Sequence, residues 1–137
     1  MPYFENSEKL QEILGGFFMS LVNDPSIGQK LKDSKLVIKF VYSDPNLAIT
    51  IDCSKDPIEV LFNDTSRKPE VEMSMKADVA HRFWFGKVNL LAALTRREMV
   101  AKGPIPKVLK LLPVIKPAYD LYPKYLQEKG FGNLLIS

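Results

Sequence analysis

The stretch PEVEMSMKADVAHRFWFGKVN, residues 69–89, alternates over its first half and then stops. Val71, Met73 and Met75 share one side, and Glu72, Ser74 and Lys76 the other. A period of two marks a strand with one buried face. From Ala77 the residues read as a short helix that carries three successive aromatics, Phe83, Trp84 and Phe85, and closes at Gly86. Valine and isoleucine are better strand formers than methionine, which instead adapts its shape to what it packs against. Two readings follow: ordinary core packing, or the wall of an apolar cavity.

Upstream, Ser7 is a candidate N-cap for a helix whose apolar residues recur at Leu10, Ile13, Leu14, Phe17, Phe18, Leu21 and Val22. That is the wide stripe of a core-facing helix. Gly15 and Gly16 sit inside it and cost about 1 kcal/mol each relative to alanine. They mark either a tolerated weakness or a place where something approaches closely. Three alternating runs then place Leu36, Ile38, Phe40 and Tyr42, then Leu47, Ile49, Ile51 and Cys53, then Ile58, Val60 and Phe62 on inward faces. The short SDPN and SKDP links imply antiparallel hairpins. After residues 69–89, NLLAALTRRE reads as a helix and MVAKG as a fifth short strand. Beyond Pro104, Val108, Leu111, Leu112, Ile115, Tyr119, Tyr122 and Leu126 keep helical spacing, while Pro113, Pro117 and Pro123 cut it into pieces.

The 137 residues fit one domain, 1–137. A net charge of +3 without basic, aromatic-studded stripes speaks against nucleic acid as a partner. No apolar run is long enough to span a bilayer, the first residues lack a signal-peptide pattern, and the last are not a Ser-Lys-Leu address. With one cysteine and no disulfide framework, a cytoplasmic location is expected. Catalytic groupings are missing as well. His81 stands alone and reads as solvated or capping, and Cys53 as a small buried hydrophobe. Asp52, Glu59 and Glu72 fall on outward positions, so no buried carboxylate pair forms. Phosphate-loop, zinc and dinucleotide spacings are absent, and Arg96, Arg97, Lys87 and Lys102 read as a solvated face.

The ordered combination of Met73-Ser74, Gly86-Lys87-Val88-Asn89 and Lys102-Gly103, set among helix, three strands, strand, helix, helix and strand, resembles the sterol carrier protein type 2 (SCP2) family. The version it resembles is the stand-alone microbial one with a long C-terminal helical segment. The resemblance implies an α+β fold: a five-stranded mixed, mostly antiparallel sheet in the order 3-2-1-4-5, with helices over one face enclosing an apolar tunnel. It also implies a lipid ligand, either a fatty acyl chain, an acyl-CoA or a sterol-like body. No catalytic residue or cofactor comes with it. The residues expected to face that ligand are Phe17, Phe18 and Leu21; Val60, Phe62, Met73 and Met75; Phe83, Phe85, Leu91 and Leu94; and Leu111, Leu112, Ile115 and Tyr119. Trp84 is expected to point elsewhere, since helix neighbours diverge by about 100°.

A ligand pocket of about 300 Å³, left as a rigid void, costs roughly 7 kcal/mol at ~24 cal/mol per Å³. That rivals the whole stability of a domain. Such a pocket is therefore expected to be filled, wet or partly collapsed. Each buried methylene contributes about 0.8 kcal/mol, so an acyl chain supplies ample binding energy without chemistry. Lys107, Lys110, Lys116 and Lys124, interspersed with apolar residues, suit transient contact with an anionic membrane or a solvated face with snorkelling lysines. The alternative function is an accessory module that docks on an enzyme, or self-associates, through its apolar C-terminal segment.

Overall fold

Alternation along the strands dictates a sheet with one apolar face, and the computed structural model shows that sheet. It describes residues 3–136, without the side chains of Ile105 and Val108. The strands are β1 (Val37–Ser43), β2 (Leu47–Asp52), β3 (Glu59–Phe62), β4 (Val71–Lys76) and β5 (Met99–Lys102), in the order β3-β2-β1-β4-β5. Three of the four pairings are antiparallel, and β1 with β4 is parallel.

Register lines the inward side chains up in rows, because residues directly opposite share a face. One row runs Val60, Ile51, Ile38 and Val71; the next runs Phe62, Ile49, Phe40, Met73 and Ala101. The third holds Leu47, Tyr42, Met75 and Met99. Met73 and Met75 therefore span from the bulky aromatics of the central strand to the edge strand β5.

Helices cover this face. Asn6, not Ser7, caps α1 (Ser7–Leu10), its side chain accepting from the Lys9 amide at 2.8 Å. The helix widens into a π turn over Gln11–Gly15 and continues as α2 (Gly16–Asn23). Gly15 and Gly16 prove to be points of close approach. A β-carbon on Gly15 would stand 2.7 Å from the Phe62 ring, and one on Gly16 would collide with the Tyr125 hydroxyl. Asp24 caps α3 (Pro25–Ser34), accepting from the amides of Ser26 and Ile27.

The helix α4 (Ala77–Trp84) follows β4 without a linker and ends at Gly86, whose φ of +73° suits glycine. Then come α5 (Leu90–Thr95), and after β5 the proline-cut series α6 (Ile105–Lys110), α7 (Leu112–Ile115) and α8 (Ala118–Glu128). The core lies between the sheet and the first, fourth and last of these helical groups.

Candidate functional site

Between the centre of the sheet and the helices lies an apolar cavity of about 40 Å³. Ile38, Phe40 and Ile51 form its floor, and Phe18, Leu21 and Val22 of α2 one side. Ile27 and Leu31 of α3 form another side, and Trp84 the inner end. Leu111, Val114, Ile115 and Ala118 roof it. No polar side chain lines it.

At ~24 cal/mol per Å³ a void of this size costs only about 1 kcal/mol. The open tunnel implied by the resemblance is thus not present among the described residues. Aromatic side chains fill the layer instead, with Phe18 against Phe40 at 5.2 Å and Trp84 edge-on to Phe18 at 5.5 Å. The roof is the thinnest wall. Val114 and Ile115 are half-buried, and a surface groove of about 480 Å³ adjoins them, sharing Leu111 and Val114 with the cavity. Lys35, Lys107 and Lys110 line that groove together with Asp33 and Glu70. Lys107 is engaged by Glu70 at 2.7 Å.

Of the residues expected from sequence to face a ligand, the structure brings Phe18, Leu21, Leu111 and Ile115 to this cavity. Phe17 is buried one layer away, against Trp84, Tyr122 and Tyr125. Val60 and Phe62 lie half-buried on the edge strand β3, Phe62 over Gly15. Met73 and Met75 are buried in the sheet rows beside the cavity, not in its wall.

Phe83 packs on Tyr119, and Phe85 on His81 and Tyr122. Leu94 is half-buried near β5, and Leu112 is half-buried outside the cavity. Leu91 is a correction: it is 59% exposed, because α5 buries Leu90 and Ala93 instead. Trp84 is a second correction. It is the α4 residue that reaches the cavity, since α4 packs on β1 and β4 with one side and on α8 with another. The floor is a third correction: the alternation within the strands placed Ile38, Phe40 and Ile51 inward, but the sheet residues expected at the ligand were Val60, Phe62, Met73 and Met75, because alternation gives the face and not the position along it.

Two titratable residues also differ from their sequence reading. His81 is fully buried: its Nε2–H donates to the Leu134 carbonyl and its Nδ1 accepts from the Tyr122 hydroxyl, each at 2.8 Å. Burial holds its pKa below the ordinary value. Asp52 lies on the outward face yet is buried, because Arg67 folds over it. The guanidinium bonds Asp52 at 2.6 Å and Glu59 at 2.8 Å, and the Ser54 hydroxyl donates to Asp52 at 2.5 Å. Burial raises the Asp52 pKa, but the bonds from Ser54 and Arg67 outweigh it and hold the carboxyl below its usual range. Cys53 is buried as expected, and burial pushes its thiol up to about 11, far from a ready thiolate.

No helix among the described residues is long and apolar enough to cross a membrane. The chain matches the model of the SCP-2 sterol transfer family over residues 18–116. Among curated proteins no sequence matches it. Solved structures share its fold at low identity. A sterol carrier protein domain 2 of Helicoverpa armigera is 16% identical with a TM-score of 0.68, over 85% of this chain and 94% of that one. Sterol carrier protein 2 of Yarrowia lipolytica, in its apo form, is 17% identical with a TM-score of 0.64, over 79% and 91%. An inverting sec-alkylsulfatase from a Pseudomonas species is 13% identical with a TM-score of 0.54, over 63% of this chain but 14% of the enzyme. The family match extends over well more than half of the sequence and takes in the sheet and the roof residues Leu111, Val114 and Ile115: the chain belongs to the SCP-2 sterol transfer family.

Proposed function

We propose that the protein binds a hydrophobic lipid between sheet and helices and carries or presents it without catalysis. The ligand body is a fatty acyl chain, an acyl-CoA chain or a sterol-like group. The observation that carries this reading is the wholly apolar cavity whose outer wall is a short, proline-cut segment. Its 40 Å³ is well below the ~300–1,000 Å³ of a ligand pocket, so binding requires the roof to lift. The roof suits that motion. The Val114, Ile115 and Lys116 amides donate to the Leu111 and Leu112 carbonyls, so these bonds travel with the segment. The groove beside the roof is the route of entry. Exposed Leu109 and Lys110 near it suit transient contact with an anionic membrane during exchange.

Native mass spectrometry of gently purified protein is expected to show co-purified lipid, and a fluorescent fatty acid is expected to bind. Replacing Ile115 or Leu111 by tryptophan fills the roof and is expected to weaken the probe by about tenfold or more, while circular dichroism stays native. Absence of both lipid and probe binding would overturn the proposal.

A second reading, an accessory module on an enzyme, draws on the likeness to a small part of the sec-alkylsulfatase. Light scattering and pull-down on a lipid-free monomer distinguish it.

A further inference from the structure

We propose that the Tyr42 hydroxyl is an internal polar anchor, donating a hydrogen bond to a hydroxyl or carbonyl oxygen at the leading end of an otherwise apolar ligand. This rests on the lipid-binding reading and specifies its ligand class. Tyr42 is 2% exposed, and its hydroxyl is the one buried side-chain polar atom among the described residues with no hydrogen-bond partner. Native proteins rarely leave such a group unpaired, and an unpaired buried group carries its full desolvation cost. The Trp84 indole is a polar neighbour of the hydroxyl and tempers the rise that burial gives its pKa, but it stands outside hydrogen-bond geometry and leaves the hydroxyl proton unpaired.

Its position matches an anchor. Ile38 and Phe40 floor the cavity, and Tyr42 is the next inward residue on the same strand, about 7 Å beyond Phe40. The Phe40 ring stacks on that of Tyr42 at 6.2 Å and faces Trp84 at 6.5 Å. The lysine-lined groove adjoins the roof at Leu111 and Val114, with Leu36 at the start of the same inward row. Tyr42 does not itself line the cavity, so a molecule entering from the groove lays its apolar body along Ile38 and Phe40 and brings its leading end to Tyr42 by extending the cavity along the strand.

The surroundings also select the chemistry. Burial keeps this tyrosine protonated at any ordinary pH, so it is a neutral donor that wants an acceptor oxygen. Among Phe40, Trp84 and Met75, an unpaired carboxylate costs more than one hydrogen bond returns. The leading group is therefore neutral, and a charged head stays at the groove.

The test compares hexadecan-1-ol with hexadecane as competitors of a fluorescent acyl probe, on the native chain and on Tyr42→Phe. Comparing the two proteins cancels the unequal solubility of the two competitors. The preference for the alcohol is expected to fall about tenfold in Tyr42→Phe, while hexadecane competes equally on both. Because no protein hydrogen bond is lost, the melting temperature of Tyr42→Phe is expected to equal or exceed that of the native chain. An unchanged preference overturns the anchor alone, and so does a fall in melting temperature of several degrees, which would reveal a partner inside the protein. If the probe binds neither protein, the lipid-binding reading fails and the anchor with it.

Discussion

Gly16 has the Tyr125 hydroxyl where its β-carbon would stand. That hydroxyl donates to the Ile13 carbonyl at 2.9 Å, inside the π turn, where the widened helix loosens the usual backbone pairing. Tyr125→Phe is expected to cost about 1 kcal/mol, the net worth of one hydrogen bond. Gly16→Ala gains helix propensity yet pushes the hydroxyl away, for an expected net loss of about 1–2 kcal/mol. The double variant is expected to be less damaged than the sum, because a ring without its hydroxyl can shift without losing a bond; denaturant unfolding of the three proteins checks this. Asp52 obeys similar residue-scale physics. Asp52→Asn leaves Arg67 with Glu59 as its one remaining carboxylate partner and is expected to lose about 1–2 kcal/mol in urea unfolding at neutral pH. The folded carboxyl titrates below its unfolded value, so this contribution is complete above about pH 4. It is lost as pH falls through the lowered folded pKa.

At the scale of the element, the faces of the strands were legible where those of the short helices were not. Period-two alternation has only two phases, so Val71, Met73 and Met75 declared their face, as did Ile38 and Phe40. A helix of six residues with Leu90, Leu91 and Leu94 has several equally apolar phases. The tertiary choice to bury Leu90 and Ala93 leaves no trace in the spacing. Leu91→Lys is therefore expected to change stability by less than about 0.5 kcal/mol, and Leu90→Ala to cost about 2–3 kcal/mol, both by thermal or urea unfolding. The α4 helix failed for another reason. A helix with one buried face lets Phe83 and Phe85 exclude Trp84, but α4 is clasped by the sheet and by α8, and all but Asp78 and Arg82 of its eight residues are buried. The burial of Asp52 was invisible because its partner Arg67 lies fifteen positions away in a loop. The face that carries the cavity floor could be read from the strands but not the position along it, so Met73 and Met75 were expected where Ile38, Phe40 and Ile51 stand; part of the roof was legible in Leu111 and Ile115.

Across the whole molecule, His81 ties the two ends of the described chain to its middle. Tyr3 and Phe4 pack on its ring at 4.4 and 5.4 Å, and the Tyr3 amide donates to Asp78 at 2.9 Å. On the other side stand the Tyr122 hydroxyl and the Leu134 carbonyl. This arrangement suits the neutral imidazole: with Nε2–H donating to Leu134, Nδ1 accepts from the Tyr122 hydroxyl, whereas a charged ring would turn that hydroxyl into an acceptor. Asp78 favours the charged ring and Arg82 opposes it, and burial decides in favour of the neutral form. The folded pKa therefore lies below the unfolded value near 6.5, and the unfolded chain binds the proton first. Stability from this site is complete above about pH 6.5 and drains away as pH falls toward the folded pKa. Melting temperature is expected to drop between pH 7 and 5, with hydrogen exchange rising first near Leu134 and residues 3–6. His81→Gln keeps a donor and an acceptor but cannot titrate, so its melting temperature is expected to be lower at pH 7 and flatter with pH over that range. An equally steep profile in His81→Gln would assign the acid sensitivity to other groups and remove His81 from the account.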